Sequence, residues 1–357
     1  MLIDVFFKSY IRFSVIGIFF LFVGCEKYEQ LDIPVTNMPH DDVPAIYISS
    51  QENLLNEESD LTKFLLENRL NTRNISDIVY DDFSKNLYVL FRHGCLISVS
   101  QNRKFEVVVN TTGRGPGEMV DAETLKISDE GIHIFDINLN KILTFSRSGK
   151  NLRDVVLTVG VGRSFGILDD GSIVTVNYSP FESHLFFEYD SSGTLTNKLG
   201  DGRFVQSILK KVNRIPSLNI DVDNSRKNII LSSEGTGEAF IYNVERDTLV
   251  SSFSIQNGPE WDAVIEAEKK ADDIGYFSKI EDIDIFPNGD IYVSWGGIYN
   301  EKRTVGMIFS NNGSFKYRIF SDGVMRNMPA SVSVVDDTSM YVYSWADNYL
   351  GKININR

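Results

Sequence analysis

Histidine and cysteine are scarce in this chain: four and two among 357 residues. No His or Cys cluster has zinc-ligand spacing. A serine-hydrolase constellation would have to draw its base from His40, His93, His133 or His184. Basic residues are also in short supply. Lys and Arg total 35 against 49 Asp and Glu, for a net charge of −14, which disfavours nucleic acid and anionic lipid as partners. Charged residues make up only 24% and hydrophobic ones 42%, so the chain is not of the disordered class and has material for a real core. The apolar stretch Phe13 to Val23, broken by Ser14 and Gly17, is too short for a membrane span of about 20 residues.

That stretch follows Lys8 and Arg12 and runs into Leu21-Phe22-Val23-Gly24-Cys25, the layout of an export signal. The run resembles a bacterial lipoprotein signal, with a small residue before the cysteine that takes the diacylglycerol. Phe22 stands where leucine is usual. A plain secretory signal with a chance cysteine is the alternative. The resemblance implies residues 1–24 as signal peptide, Cys25 as the lipid attachment site, and residues 25–45, with Pro34, Pro39 and Pro44, as a tether. Removing residues 1–24 takes away Lys8, Arg12 and Asp4, leaving the mature chain one unit more acidic. Cys95, in an apolar strand pattern, is expected to pack as a small buried hydrophobe.

The aromatic share of 12% suits strands. From residue 87 onward one pattern recurs. Short alternating strands read Leu87–Leu90, Ile132–Phe135, Ile173–Val176, Ile229–Ser232, Ile291–Ser294 and Met340–Tyr343. Most follow an apolar strand and a turn such as Asp129-Glu130-Gly131 or Pro287-Asn288-Gly289. Many lead to a further strand and a second Gly turn, as at Ser148-Gly149, Ser192-Gly193 and Asn312-Gly313. Two-residue hairpin turns needing positive φ account for the Gly, Asn and Asp. A four-stranded unit repeated six times at roughly 40 to 60 residues has the period of propeller blades. Each blade has two apolar faces that only radial stacking can bury. A β-sandwich is the alternative. The expected fold is therefore all-β, a six-bladed β-propeller of four-stranded antiparallel blades over residues 46–357. The last copy lacks an outer strand, which the stretch from Ala45 to Ser49 could supply. Residues 51–70 fit either a short helix or an additional strand.

Two stretches interrupt the β pattern: Arg203 to Val212 and Pro259 to Phe277 both show helical spacing. Together with Gly113-Arg114-Gly115-Pro116-Gly117-Glu118, they lie between the outer strand of one blade and the inner strand of the next. The short helical insertions are thus expected on one face with that loop. The loop reads as a type II turn with Pro116 and Gly117 at its centre. It is either a nest of N–H groups beside Arg114 that could take an anion, or a crossing in which Arg114 and Glu118 tie neighbouring blades.

The repeat with Gly-Arg-Gly-Pro-Gly-Glu after its first blade resembles the Bacteroidota-type six-bladed β-propeller lipoproteins with NHL-like repeats. The resemblance covers roughly residues 46–357 and the signal. It implies export to the cell envelope, lipid-anchored to a membrane (outer membrane, periplasmic or surface side). It implies no established reaction, so no catalytic residue is carried over.

Other chemistry is thinly supported. Gly162-Arg163-Ser164-Phe165-Gly166 has the letters of a nucleophile elbow, but a hairpin follows where a helix is needed. Asp282, Asp284, Asn288 and Asp290 resemble a calcium series, yet they alternate along a strand and its turn and lack the Gly and Glu of an EF-hand loop. His133, inside a strand, reads as core. Residues just past the second strands, Arg92, Asp136, Asn177, Glu234, Trp295 and Trp345, are expected at the channel mouth, with the two tryptophans either stacking on a ligand or packing blades. The candidate ligand-binding set is Arg114, Glu118, Asp136, Trp295 and Trp345, with no metal and no cofactor. The expected role is a non-catalytic binding or scaffold propeller for a glycan, peptide or envelope protein. The alternative is a calcium-assisted lactonase- or lyase-type enzyme; fold alone does not choose.

Overall fold

The structure is a computed structural model. Residues 1–34, 38–44, 51–52, 57–58, 159–160, 178–182, 201–217, 234–236, 256–279, 296, 300–301, 322–324, 326–328 and 356–357 lie outside the described residues. The signal, Cys25, Glu234 and both expected helical insertions fall there.

Six four-stranded antiparallel blades form a ring, as the repeat predicts. Blade 1 comprises Ile75–Asp81, Asn86–Phe91, Cys95–Ser100 and Phe105–Asn110. Blade 2 comprises Ala122–Ile127, Ile132–Asp136, Lys141–Phe145 and Asn151–Val156. Blade 3 comprises Val161–Ile167, Ile173–Asn177, Phe186–Tyr189 and Leu195–Leu199. Blade 4 comprises Leu218–Asp223, Asn228–Ser233, Glu238–Asn243 and Thr248–Ser254. Blade 5 comprises Ile283–Ile285, Ile291–Val293, Lys302–Phe309 and Phe315–Phe320. Blade 6 has Ser331–Asp336, Ser339–Ser344 and Tyr349–Ile355. The first strand of each blade touches the first strand of the next, from blade 1 round to blade 6 and back.

The second strands show why this sequence stacks radially. In blade 1, Val89 and Phe91 join the core shared with blade 6, while Tyr88 and Leu90 join the core shared with blade 2. In blade 4, Ile229 and Leu231 face blade 3 and Ile230 faces blade 5. Consecutive apolar residues thus serve opposite faces, the period-two consequence of strand geometry. The result is six interblade cores in place of one central core.

The turns differ in detail from two-residue hairpins. In six of them the flanking pair brackets three residues, as where Ser146 N donates to the Lys150 carbonyl at 2.8 Å and Gly149 N to the Ser146 carbonyl at 2.9 Å. Gly149 takes φ +81 there, the left-handed residue of a three-residue loop. A Cβ at Gly149 would lie 2.0 Å from the Val108 carbonyl oxygen of blade 1, so the turn also seats against its neighbour.

The ring closes on a strand from the start of the fold. Ala45–Ser50 pairs antiparallel with the third strand of blade 6, Ile48 opposite Ile355 and Ser50 opposite Ile353. Its first half pairs parallel with the outer strand of blade 5, Ala45 opposite Arg318. One strand therefore completes blade 6 and joins it to blade 5. Val35–Asn37 pairs parallel with the outer strand of blade 4. Residues 60–67 form a helix, capped by the Ser59 side chain accepting from Thr62 N. Its Leu61 and Leu65 pack on the core between blades 6 and 1.

Ile46 and Ile48 are buried in the core between blades 5 and 6. Ile48→Ala is expected to cost about 2–5 kcal/mol, read as a lower urea midpoint. A comparable loss from a substitution at exposed Val250, with none at Ile48, would deny the strand its closing role.

Candidate functional site: the central channel

The inner strand of every blade leaves one edge unpaired, and those six edges line a central cavity of about 390 Å³. Unpaired N–H and C=O groups facing a channel must find partners. Short side chains on the neighbouring blade's inner strand supply them. Asp77 of blade 1 accepts from Leu125 N of blade 2 through Oδ2, at 2.7 Å. In blade 3, Ser164 Oγ donates to the Ile220 carbonyl of blade 4 at 3.1 Å and accepts from Ile220 N at 3.2 Å. Asn219 of blade 4 donates to the Glu281 carbonyl beside blade 5, at 2.8 Å. Asp282 and Asp284 of blade 5 accept from Val332 N and Val334 N of blade 6, at 2.8 and 2.6 Å. Ser331 and Ser333 of blade 6 accept from Ile78 N and Tyr80 N of blade 1, at 3.1 and 2.8 Å.

Charge accumulates as a result. Asp77, Asp221, Asp282 and Asp284 line the channel with one lysine among them, Lys126, whose Nζ lies 2.9 Å from Asp221 Oδ1. Each side chain keeps some exposure to the channel but is otherwise enclosed by protein. Burial, opposed by the bonds from Ser331 and Leu125, leaves the Asp77 carboxyl raised to about 6. Burial and the charge of Asp221 hold Asp284 up to about 7. Burial and the charge of Asp77 raise Asp282 well above the usual carboxylate range. Burial pushes Lys126 down, but the charges of Asp221 and Asp284 outweigh it and its ammonium is held more firmly than usual. Among the described residues, no group of three or more His, Cys, Asp or Glu is arranged to hold a metal. The carboxylate oxygens of blade 5 already accept from main-chain N–H groups: Asp282 Oδ1 and Asp284 Oδ1 take their own strand's Ile283 N and Ile285 N.

The residues singled out in the sequence do not gather here. Asp136 is fully buried; its Oδ2 accepts from Val120 N and Asp121 N and its Oδ1 from Leu139 N. It shapes the crossing into blade 2 and does not reach the mouth. Trp295 is buried at 1% exposure in the core between blades 4 and 5, the blade-packing alternative. Trp345 is 64% exposed, on the turn after the second strand of blade 6. Arg92 does line the channel and pairs with Glu123 at 2.9 Å. Asn177 is buried, donating to the His184 carbonyl at 3.1 Å. His133 is fully enclosed, with Nε2 2.7 Å from Ser128 Oγ and Nδ1 3.1 Å from Thr144 Oγ1. Burial pushes it down to about 4, so it is neutral and structural. Cys95 is buried, which raises its thiol to about 11.

The 113–118 loop fills its own nest. Glu118 Oε2 accepts from Gly115 N at 2.8 Å, and Glu118 N closes the turn on the Gly115 carbonyl at 3.1 Å. A Cβ at Gly113 would lie 2.1 Å from that carboxylate oxygen, so a side chain there displaces the cap. The tie to blade 2 comes from elsewhere than Arg114: Asp154 Oδ2 accepts from Gly117 N at 2.9 Å, and Lys141 Nζ bonds both Asp154 and the Gly115 carbonyl at 3.0 Å. Arg114 is exposed.

Asp77, Lys126 and Asp221 were not among the sequence-level candidates. Their signal is polar residues alternating on the first strand of each repeat, a position where an apolar pattern is otherwise expected.

No family model matches the sequence. No curated protein matches it either. Solved structures do. A Bacteroides fragilis protein assigned as exported aligns at 14% identity over 91% of this chain and 99% of its own, with a TM-score of 0.55. An auxiliary nutrient binding protein of Bacteroides ovatus aligns at 12% identity over 88% of this chain and 78% of its own, TM-score 0.55. A gluconolactonase of Xanthomonas campestris aligns at 9% identity over 79% of this chain and 86% of its own, TM-score 0.53. At these identities the likeness is one of fold.

The pH dependence of the channel has a definite sign. Unfolded, Asp284 titrates near 4; folded, it is held up to about 7. Between those values the folded state binds a proton that the unfolded state lacks, so this group's penalty is absent at low pH, grows as pH rises, and is complete above about 7. Relative to the parent, Asp284→Asn is therefore expected to gain stability between about pH 5 and about pH 8. Urea midpoints of both proteins test this; a difference that stays constant with pH would refute the assignment.

Proposed function

We propose that the protein is a non-catalytic binding or scaffold propeller, held to an envelope membrane through Cys25 and presenting its ligand on the face that carries the blade-to-blade crossings. The observation that favours binding over catalysis is the occupancy of the channel carboxylates. Asp77, Asp282 and Asp284 each spend both oxygens on main-chain N–H groups or a serine hydroxyl, which leaves little to place a metal or move a substrate proton. The fold is shared with a lactonase, but at 9% identity that brings no residue role with it. The exported and nutrient-binding Bacteroides proteins of similar fold support an extracytoplasmic binding role, as does the lipoprotein-like run ending at Cys25.

On the proposed ligand face, Trp345 offers an exposed ring for stacking on a sugar or a peptide side chain. Arg114 adds an exposed cation beside a loop whose N–H groups Glu118 already uses. Asp136 holds the crossing into blade 2 through its bonds to Val120 N, Asp121 N and Leu139 N, and Trp295 packs between blades 4 and 5.

Cys25→Ser is expected to move the protein from the membrane to the soluble fraction; continued membrane retention would remove the anchor from the proposal. Glycan and peptide arrays probed with the parent and Trp345→Ala should show signal lost in the variant, and an unchanged pattern would take Trp345 out of the site.

A further inference from the structure

Beside the junction of blades 6 and 1 lies a second cavity, of about 480 Å³. Its apolar lining is leucine: Leu55 and Leu65 are buried, Leu70 is half-buried, and Leu66 stands 71% exposed at the rim. The rest of the lining is polar, and several of those groups already hold protein partners. Thr72 Oγ1 donates to Asn348 Oδ1 at 3.0 Å, and Asn348 Nδ2 donates to the Leu55 carbonyl at 3.3 Å. Asn71 Oδ1 accepts from Arg73 N at 2.9 Å, and Thr62 Oγ1 accepts from Ser59 Oγ at 3.0 Å. The walls are fixed before any ligand arrives.

Arg69 is different. It is an exposed lining residue, and among the described residues its side chain has no ion-pair partner. Its backbone sits at φ +57, just past the end of the helix. Arg69 N donates to the Leu66 carbonyl and Leu70 N to the Leu65 carbonyl, the bonds of a helix terminus that ordinarily places glycine in the left-handed position. A side chain is disfavoured there, and a long cationic one is not needed to end the helix. A chain of net charge −14 thus holds, at the edge of a leucine-lined groove and in a strained position, an arginine with no ion-pair partner among the described residues.

We propose that this groove binds an aliphatic carboxylate, its hydrocarbon chain on Leu55, Leu65, Leu66 and Leu70 and its anionic head on Arg69. The choice of ligand follows from the walls. A peptide or glycan would bring many donors and acceptors needing partners, and the Thr72 hydroxyl and both ends of the Asn348 amide are already committed. A ligand with one charged head and an otherwise apolar body asks for what is left: apolar surface and a single guanidinium. The proposal rests on the binding role above and names a ligand class for one part of that face.

Calorimetric titration of the full chain carrying Cys25→Ser, so that no acyl group of its own competes, tests it with decanoate below its micellar concentration. Saturable one-site binding is expected. Arg69→Gly should weaken it about tenfold while leaving the unfolding midpoint unchanged or raised, since glycine suits the backbone there. Arg69→Lys should retain most of the affinity. Binding of decyltrimethylammonium as tight as that of decanoate, an undiminished affinity in Arg69→Gly, or no saturable heat with decanoate would each overturn the proposal. The Trp345→Ala arrays use different probes, so failure of the groove and failure of the wider binding role are read separately.

Discussion

Six free strand edges facing one channel are the constraint on which this molecule turns. A propeller buries the faces of its sheets by stacking them, but stacking does nothing for the inner edge of each sheet. Here, short polar side chains reach sideways from one inner strand to the main chain of the next: Asp77, Ser164, Asn219, Asp282, Asp284, Ser331 and Ser333. Serine and aspartate suit the task because each places an oxygen only two or three bonds from its Cα. The cost is a concentration of carboxylates that repel one another, which Lys126 relieves in part by its ion pair with Asp221. The raised proton affinities of Asp77, Asp282 and Asp284 follow from the way the ring is closed, and need no catalytic purpose.

Outside the channel the same economy recurs. Each interblade core is modest, built from alternate residues of two sheets, and no single core dominates. The blades are held in turn by contacts between turns and neighbours, such as Arg147 of blade 2 on Asp81 of blade 1 at 2.6 Å. The crossing at 113–118 follows this pattern. Its glycines allow the chain to turn closely, Glu118 satisfies the turn from inside, and Lys141 and Asp154 fasten it to blade 2.

Blade number, strand order and the closing strand are legible in the sequence because they depend on period-two alternation and turn residues, which are local signals. Positions that depend on where the blades meet are not. Trp295 and Trp345 end equivalent strands, yet one is enclosed between blades and the other faces solvent. Nothing within either strand distinguishes them, since burial is decided by the neighbouring blade. Asp77, Lys126 and Asp221 escape notice for a related reason: they are scattered along the chain and join the channel cluster only when the ring closes. Asp282 and Asp284 carry a local pattern that resembles a cation site, but their partners are main-chain N–H groups of blade 6, which no spacing rule reveals.

The closing strand also sets an order of events in time. Ala45–Ser50 leaves the ribosome before any blade exists, whereas its antiparallel partner, Tyr349–Ile355, follows every other strand. The same seam is stitched by Asn53, whose Oδ1 accepts from Leu350 N across 297 positions of chain. Joining segments so distant carries a large loop-closure entropy that only nearly finished blades can offset. Until then the outer edge of blade 5 and the third strand of blade 6 stand open, able to pair with a strand from another molecule. Synthesis from the N-terminus therefore keeps this one strand waiting longest, and the period before it docks is when the protein is most exposed to aggregation.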